Sequence, residues 1–103
     1  MSQIQIELTE TQQQRIAKAI ADPQRFAILA AIAHHDEVPC KSLVSEFSIT
    51  QATISHHLKE LVAADLIHSR REGQLAILRC RRDVCDAYIQ GLTQRLVDPG
   101  KLS

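Results

Sequence analysis

The sequence predicts a mainly α chain carrying one small β-hairpin, with its elements in the order ααααββα. Three observations predict it. The stretch Thr50-Gln-Ala-Thr-Ile-Ser-His-His-Leu-Lys-Glu-Leu61 places Ile54, Leu58 and Leu61 at i, i+4 and i+7, one apolar helical stripe. Pro39 to Phe47 precedes it as a short helical pattern anchored by Leu43 and Phe47, and Ser48-Ile49-Thr50 joins the two as a tight turn. Beyond it, Leu66 to Arg70 and Leu75 to Arg79 change to a period of about two, with Glu72-Gly73 between them as the hairpin signal. Two short helices across a tight turn, then a hairpin, make a winged helix-turn-helix.

The elements follow in order. Thr9 begins a helix that runs to about Ala21, with Ile16 and Ile20 on one side. Asp22 caps the next helix, and Pro23 occupies its first turn, where a missing N–H costs nothing. That helix is expected to carry Phe26, Ile28, Leu29 and Ile32 into the core. The helix-turn-helix lacks the usual turn glycine, so Ser48 must take its place. Asp65 is expected to end the second helix of the motif in a left-handed conformation, which Asp tolerates better than most residues. A last helix runs from about Arg82 to Val97 with Val84, Tyr88, Ile89, Leu92 and Leu96 on one face.

The polar face of the second motif helix carries the chemistry. It holds Gln51, Thr53, Ser55, His56 and Lys59, where a merely solvated face would carry Glu, Lys and Arg. Such short or planar groups both donate and accept hydrogen bonds, which suits base edges and phosphates. Thr50 is placed to cap the helix, so Gln51, Ala52 and Thr53 lie at the end that points into a groove of double-stranded DNA. His57 is assigned to the same face, with a half-buried, hydrogen-bonded position beside Leu58 as its alternative. Arg70 and Arg71 flank the hairpin turn, within reach of the phosphates beside that groove.

Composition bounds the rest. A chain of 103 residues is one domain, spanning 1–103, with loose ends expected at 1–7 and 98–103. Hydrophobic residues make up 45% but aromatics only 3%, a marginal core for one copy, so a homodimer is expected. Its interface would use Ile16 and Ile20 of the first helix with Tyr88, Ile89, Leu92 and Leu96 of the last, because no later segment covers those stripes. Net charge is zero, which leaves open a winged-helix protein-interaction module that does not bind DNA. The distribution favours DNA, because Arg70, Arg71, Arg79, Arg81 and Arg82 gather around the hairpin. The N-terminus shows no signal peptide, and the longest apolar run, Phe26 to Ala33, is too short to span a bilayer. A soluble cytoplasmic protein without a membrane partner is expected. With three glycines in all and no phosphate loop, no enzyme chemistry and no cofactor are indicated.

The chain resembles the ArsR/SmtB type of winged-helix repressor. The resemblance rests on Ile20-Ala-Asp-Pro-Gln-Arg-Phe-Ala-Ile-Leu29, on Thr50 to Leu61 and on Leu66 to Arg79, and covers about residues 12–96. It implies a small homodimeric DNA-binding repressor. Many such repressors are released from DNA by metal ions, metalloids or oxidants. In metal-responsive relatives a Cys-x-Cys box precedes the recognition helix. Here that place reads Glu37-Val-Pro-Cys-Lys-Ser-Leu43, with Pro39 and Lys41 at the two ligand positions and Cys40 between them. The second family site, along the last helix, is matched only by Asp83-Val-Cys85, because residues 87–103 hold no His and no Glu. The resemblance therefore implies no metal site in the usual places. The effector, whether small molecule or oxidant, is left unnamed. His34-His35-Asp36-Glu37 reads as a solvated helix end before it reads as a ligand cluster. Cys40, Cys80 and Cys85 read first as small buried hydrophobes. A redox role for Cys80 and Cys85 comes second, with Cys85 near a helix N-terminus whose dipole lowers a thiol pKa.

Overall fold

A computed structural model of the chain describes residues 6–98. Helix α1, Glu10–Ala21, starts from a reciprocal cap. The Thr9 hydroxyl accepts from the Gln12 N–H at 3.1 Å, and the Gln12 side chain accepts from the Thr9 N–H at 2.9 Å. Helix α2, Pro23–Ala33, follows without a loop. The Asp22 carboxylate accepts from the Arg25 N–H at 3.0 Å, and this bond holds the carboxyl below its usual range. Ile28, Leu29 and Ile32 enter the core as expected, but Phe26 does not and stays 52% exposed. Two residues on a helix turn through about 200°, so the stripe that buries Ile28 sends Phe26 to the far side.

A strand that the sequence did not announce comes next, β1, Val38–Pro39. Helix α3, Cys40–Phe47, then turns through Ser48 into α4, Gln51–Ala63. Ser48 adopts the left-handed φ of 53° that the missing glycine would have taken. Asp65 closes α4 in the same region, at φ 61°. Its N–H donates to Val62 O at 2.9 Å, and Leu66 N–H donates to Leu61 O at 3.0 Å, the paired bonds of a Schellman end with Asp in the glycine position.

The hairpin pairs β2, Ile67–Glu72, with β3, Leu75–Cys80. Glu72 pairs with Leu75, so the strands run further than their alternation suggested and the turn is Gly73-Gln74 rather than Glu72-Gly73. Gly73 alone takes a positive φ there, 62°, the sign pattern of a type II′ turn. β3 is the central strand of an antiparallel sheet ordered β1-β3-β2, with Val38 opposite Leu78.

Helix α5 covers Arg82–Leu92, and the chain then winds wider into a π-helical segment, Thr93–Val97, in place of the continuous helix expected to Val97. The core joins α1, α2, α3, α4 and the sheet through Ile16, Ile28, Ile32, Leu43, Ile54, Leu61, Leu66 and Leu78, all fully buried. Of the last helix's apolar face, only Val84 is buried. The start of α5 is tied down by polar bonds: Arg81 N–H donates to Leu66 O at 2.8 Å, and the Arg82 guanidinium donates to Ala33 O at 2.8 Å and His35 O at 3.2 Å. A cation at a helix C-terminus also suits the α2 dipole.

The expectation of loose ends falls mostly outside the described residues. Ile6 packs against the core, and Asp98 N–H donates to Thr93 O at 2.9 Å.

Candidate nucleic-acid interface

Helix α4 is seated by its apolar stripe, with Ile54 and Leu61 at 0% exposure, so its opposite face is fixed outward. The start of the helix is held by Thr50, whose hydroxyl accepts from the Thr53 N–H at 3.1 Å and donates to Thr53 Oγ1 at 2.9 Å. Gln51, Ala52, Thr53, Ser55, His56 and Lys59 are all exposed. Gln51 lies back along the helix, donating to Ser55 Oγ at 3.1 Å and lying 3.7 Å from Cys40 Sγ.

His57 is the correction on this face. It is buried at 7% exposure, and its Nε2 meets Gln24 Oε1 at 2.9 Å, so it ties α4 to α2 instead of facing outward. Its Nδ1 is buried without a hydrogen-bond partner among the described residues. The apolar stripe 54-58-61 explains the burial, because residue 57 lies next to it on the helical wheel.

The wing departs further from expectation. Side chains alternate along β2, so Arg70 and Glu72 share one face and Arg71 takes the other. Arg70 is gripped by Glu37, one contact through Nη1 and a second from Nη2 to Oε1 at 3.1 Å, and also donates to Glu72 at 2.7 Å. The Arg70 hydrogen bonds hold the Glu37 carboxyl below its usual range, and Glu37 first and Glu72 second hold Arg70 more firmly protonated. Its expected phosphate contact therefore has to displace two carboxylates. Arg81 pairs with Asp83 at 3.1 Å, and Arg82 is spent on the end of α2. Of the five hairpin arginines, Arg71, Arg79 and Arg82 have no ion-pair partner among the described residues, and of these Arg82 is bound to backbone carbonyls. Glu37 was missed as a wing residue because 33 positions separate it from Arg70. The period-two register signals only the Glu72 half of the contact, by placing Arg70 and Glu72 on one face.

The expected dimer stripe also needs correcting at one end. Ile16 is 1% exposed within its own core and has nothing to offer a partner. Ile20 and Tyr88 are half-buried, while Ile89, Leu92 and Leu96 are exposed, at 59%, 39% and 75%.

Among the described residues no group of three or more His, Cys, Asp and Glu side chains is placed to hold a metal ion, and no helix is long and apolar enough to cross a membrane. Cys40 and Cys80 are buried, and Cys85 is half-buried. The expectation of an acidic Cys85 is overturned: burial first, and Cys80 second, push its thiol up to about 12. The dipole of α5 does not offset that loss of hydration.

Comparison with known proteins supplies the context. A family model described as a helix-turn-helix domain matches residues 20–70. The arsenical resistance operon repressor of Staphylococcus xylosus is 31% identical over 77 residues, covering 75% of this chain and 73% of that one. The transcriptional repressor SdpR of Bacillus subtilis is 37% identical over 59 residues, covering 57% of this chain and 64% of its own length. An ArsR-like transcriptional regulator from Rhodococcus sp. RHA1 superposes with a TM-score of 0.77 over 88% of this chain and 85% of its own, at 19% identity, a likeness of fold.

Proposed function

The chain belongs to the ArsR-type family of winged helix-turn-helix transcriptional repressors, and we propose that it blocks transcription as a homodimer seated on an inverted-repeat operator. The exposed outer row of α4 carries this reading: Gln51, Thr53, Ser55 and His56 face outward on a helix whose inner stripe is fully seated. These residues read base edges in the major groove, and Ala52 contributes a methyl-sized apolar contact. Lys59 and Arg71 hold phosphates, joined by Arg70 once it leaves Glu37. His57 acts from behind, by setting the rotation of α4 against Gln24. The reading as a protein-interaction module without DNA is not favoured by a family of repressors.

The homodimer reading is supported by the exposed Ile89, Leu92 and Leu96. With Tyr88 and Ile20 they supply an apolar patch that a second copy covers in isologous fashion. Two α4 helices then meet successive major grooves roughly one helical turn apart. The place of work is the cytoplasm, where its operator would lie.

The test is binding to duplex DNA across a salt series, with sedimentation run alongside. The wild type should sediment at twice the chain mass and bind with a steep salt dependence. Leu92→Glu should sediment as a monomer and lose operator affinity. A monomeric wild type that binds as tightly as any dimer would refute the assembly, and salt-independent binding would refute the interface.

A further inference from the structure

Cys80 ends β3 and Cys85 lies in the first turn of α5, and their Sγ atoms are 3.7 Å apart. Both are free thiols. They reach an open apolar groove between α1, α2 and α5, of about 390 Å³, whose walls include Ile20, Leu66, Tyr88 and Ile89. Cys40 takes no part, since its sulfur faces Gln51.

We propose that this pair is a modification site: a hydroperoxide joins Cys80 to Cys85 as an intrachain disulfide, and the link weakens operator binding. The second half rests on the DNA reading given above. The sulfurs are already in van der Waals contact, and a disulfide needs about 2.05 Å between them. The remaining approach falls on α5. β3 is held on both sides by β1 and β2, and Cys80 is in register with Ile67. The Cys85 backbone belongs to the first turn of α5, its N–H donating to Arg81 O at 3.0 Å, so whatever approach its side chain does not make by rotation is passed to that helix. The link therefore draws the helix that carries the exposed dimer stripe towards the end of the wing. Two recognition helices spaced by that stripe lose their register on the operator.

The chemistry closes without a cofactor. One sulfur, as thiolate, attacks the peroxide oxygen, breaking the O–O bond and leaving a sulfenic acid. The second sulfur attacks that sulfenic sulfur and expels its oxygen as water. With hydrogen peroxide, two thiols and one peroxide become one disulfide and two waters, and two electrons pass from sulfur to oxygen. The Cys85 thiol faces Cys80, Asp83 and Arg82. Burial, Cys80 and Asp83 keep it protonated while Arg82 opposes them, so oxidation is slow at neutral pH and quickens as pH rises. Thiols that are not stabilised as thiolates leave the disulfide the favoured form once it is made.

The experiment takes the full reduced chain, treats it with hydrogen peroxide at mildly alkaline pH, alkylates the remaining thiols and maps them by mass spectrometry. The expected product is a monomeric-mass chain two hydrogens lighter, alkylated only at Cys40, with Cys80 joined to Cys85. A linkage through Cys40, a link between chains, or three alkylated thiols would overturn the site. Affinity is then measured for a duplex selected by the reduced protein from a random pool. Oxidation should weaken binding by a factor in the range of about 5 to 150, the usual span of coupling between sites, and dithiothreitol should restore it. Cys85→Ser should bind regardless of peroxide, with circular dichroism reporting its fold. The oxidised and reduced wild type make the same comparison without any variant. A mapped disulfide with unchanged affinity would overturn the switch. A reduced chain that selects no duplex would instead refute the DNA reading, while the thiol map still decides the disulfide.

Discussion

Helix α4 and the hairpin β2–β3 present polar residues on one surface, but they hold them differently. Among the described residues, the outer row of α4 engages its own N-cap, neighbours on the same helix and nearby Cys40, with no carboxylate bound to any of it. The wing's Arg70 is bound to two carboxylates, one of them from outside the hairpin. The helix is poised by its apolar back, and the wing is restrained by its own charges. Polarity read from sequence is the same in both places, and what differs is how much must be undone before a ligand can be met.

The strongest way to break the comparison is to unseat the helix. Ile54→Ala removes a side chain at 0% exposure and should cost about 2–5 kcal/mol by chemical denaturation, with the wing lost together with α4. A loss below about 1 kcal/mol would mean that α4 is not held from behind. Next in size is Thr50→Ala, which leaves the Thr53 N–H without its cap and should cost about 1 kcal/mol of stability. Its effect on DNA affinity should exceed its effect on salt slope, because every phosphate-binding cation stays in place. The smallest effects sharpen the wing's side. Arg71→Ala should flatten the dependence of log affinity on log salt by ~0.9 for each phosphate that Arg71 neutralises. Arg70→Ala should flatten it less, since Glu37 and Glu72 already compete for that guanidinium. Glu37→Gln should tighten DNA binding and steepen the slope by freeing Arg70, and equal slopes for Glu37→Gln and wild type would show that the ion pair is no restraint.

What the sequence revealed was local. Thr9, Asp22 and Thr50 cap the helices that follow them, and Ser48 and Asp65 take the left-handed positions where glycine is usual. Each of these depends on a few neighbouring residues, so spacing suffices to find it. What was hidden depends on distant partners. His57 finds Gln24 and Arg70 finds Glu37, each across 33 positions. β1 is two residues long with a Pro, too short for any period, and exists because β3 has an open edge. Ile16 and Phe26 both read as apolar residues on helices. Only the packing of α1 and α2 decided that the first is buried and the second exposed.

Helix α2 is gripped at both ends by side chains from other parts of the fold. Near its start Gln24 holds His57 of the recognition helix, and just past its end Ala33 and His35 offer their carbonyls to Arg82 of α5. With 11 residues it is a stiff rod of about 16 Å, at 1.5 Å per residue. A displacement of α5 that carries Arg82 along pushes on one end of that rod, and the other end bears on α4 through His57. Mechanically, α2 is a connecting rod between α5 and α4, and its length sets the leverage of one over the other.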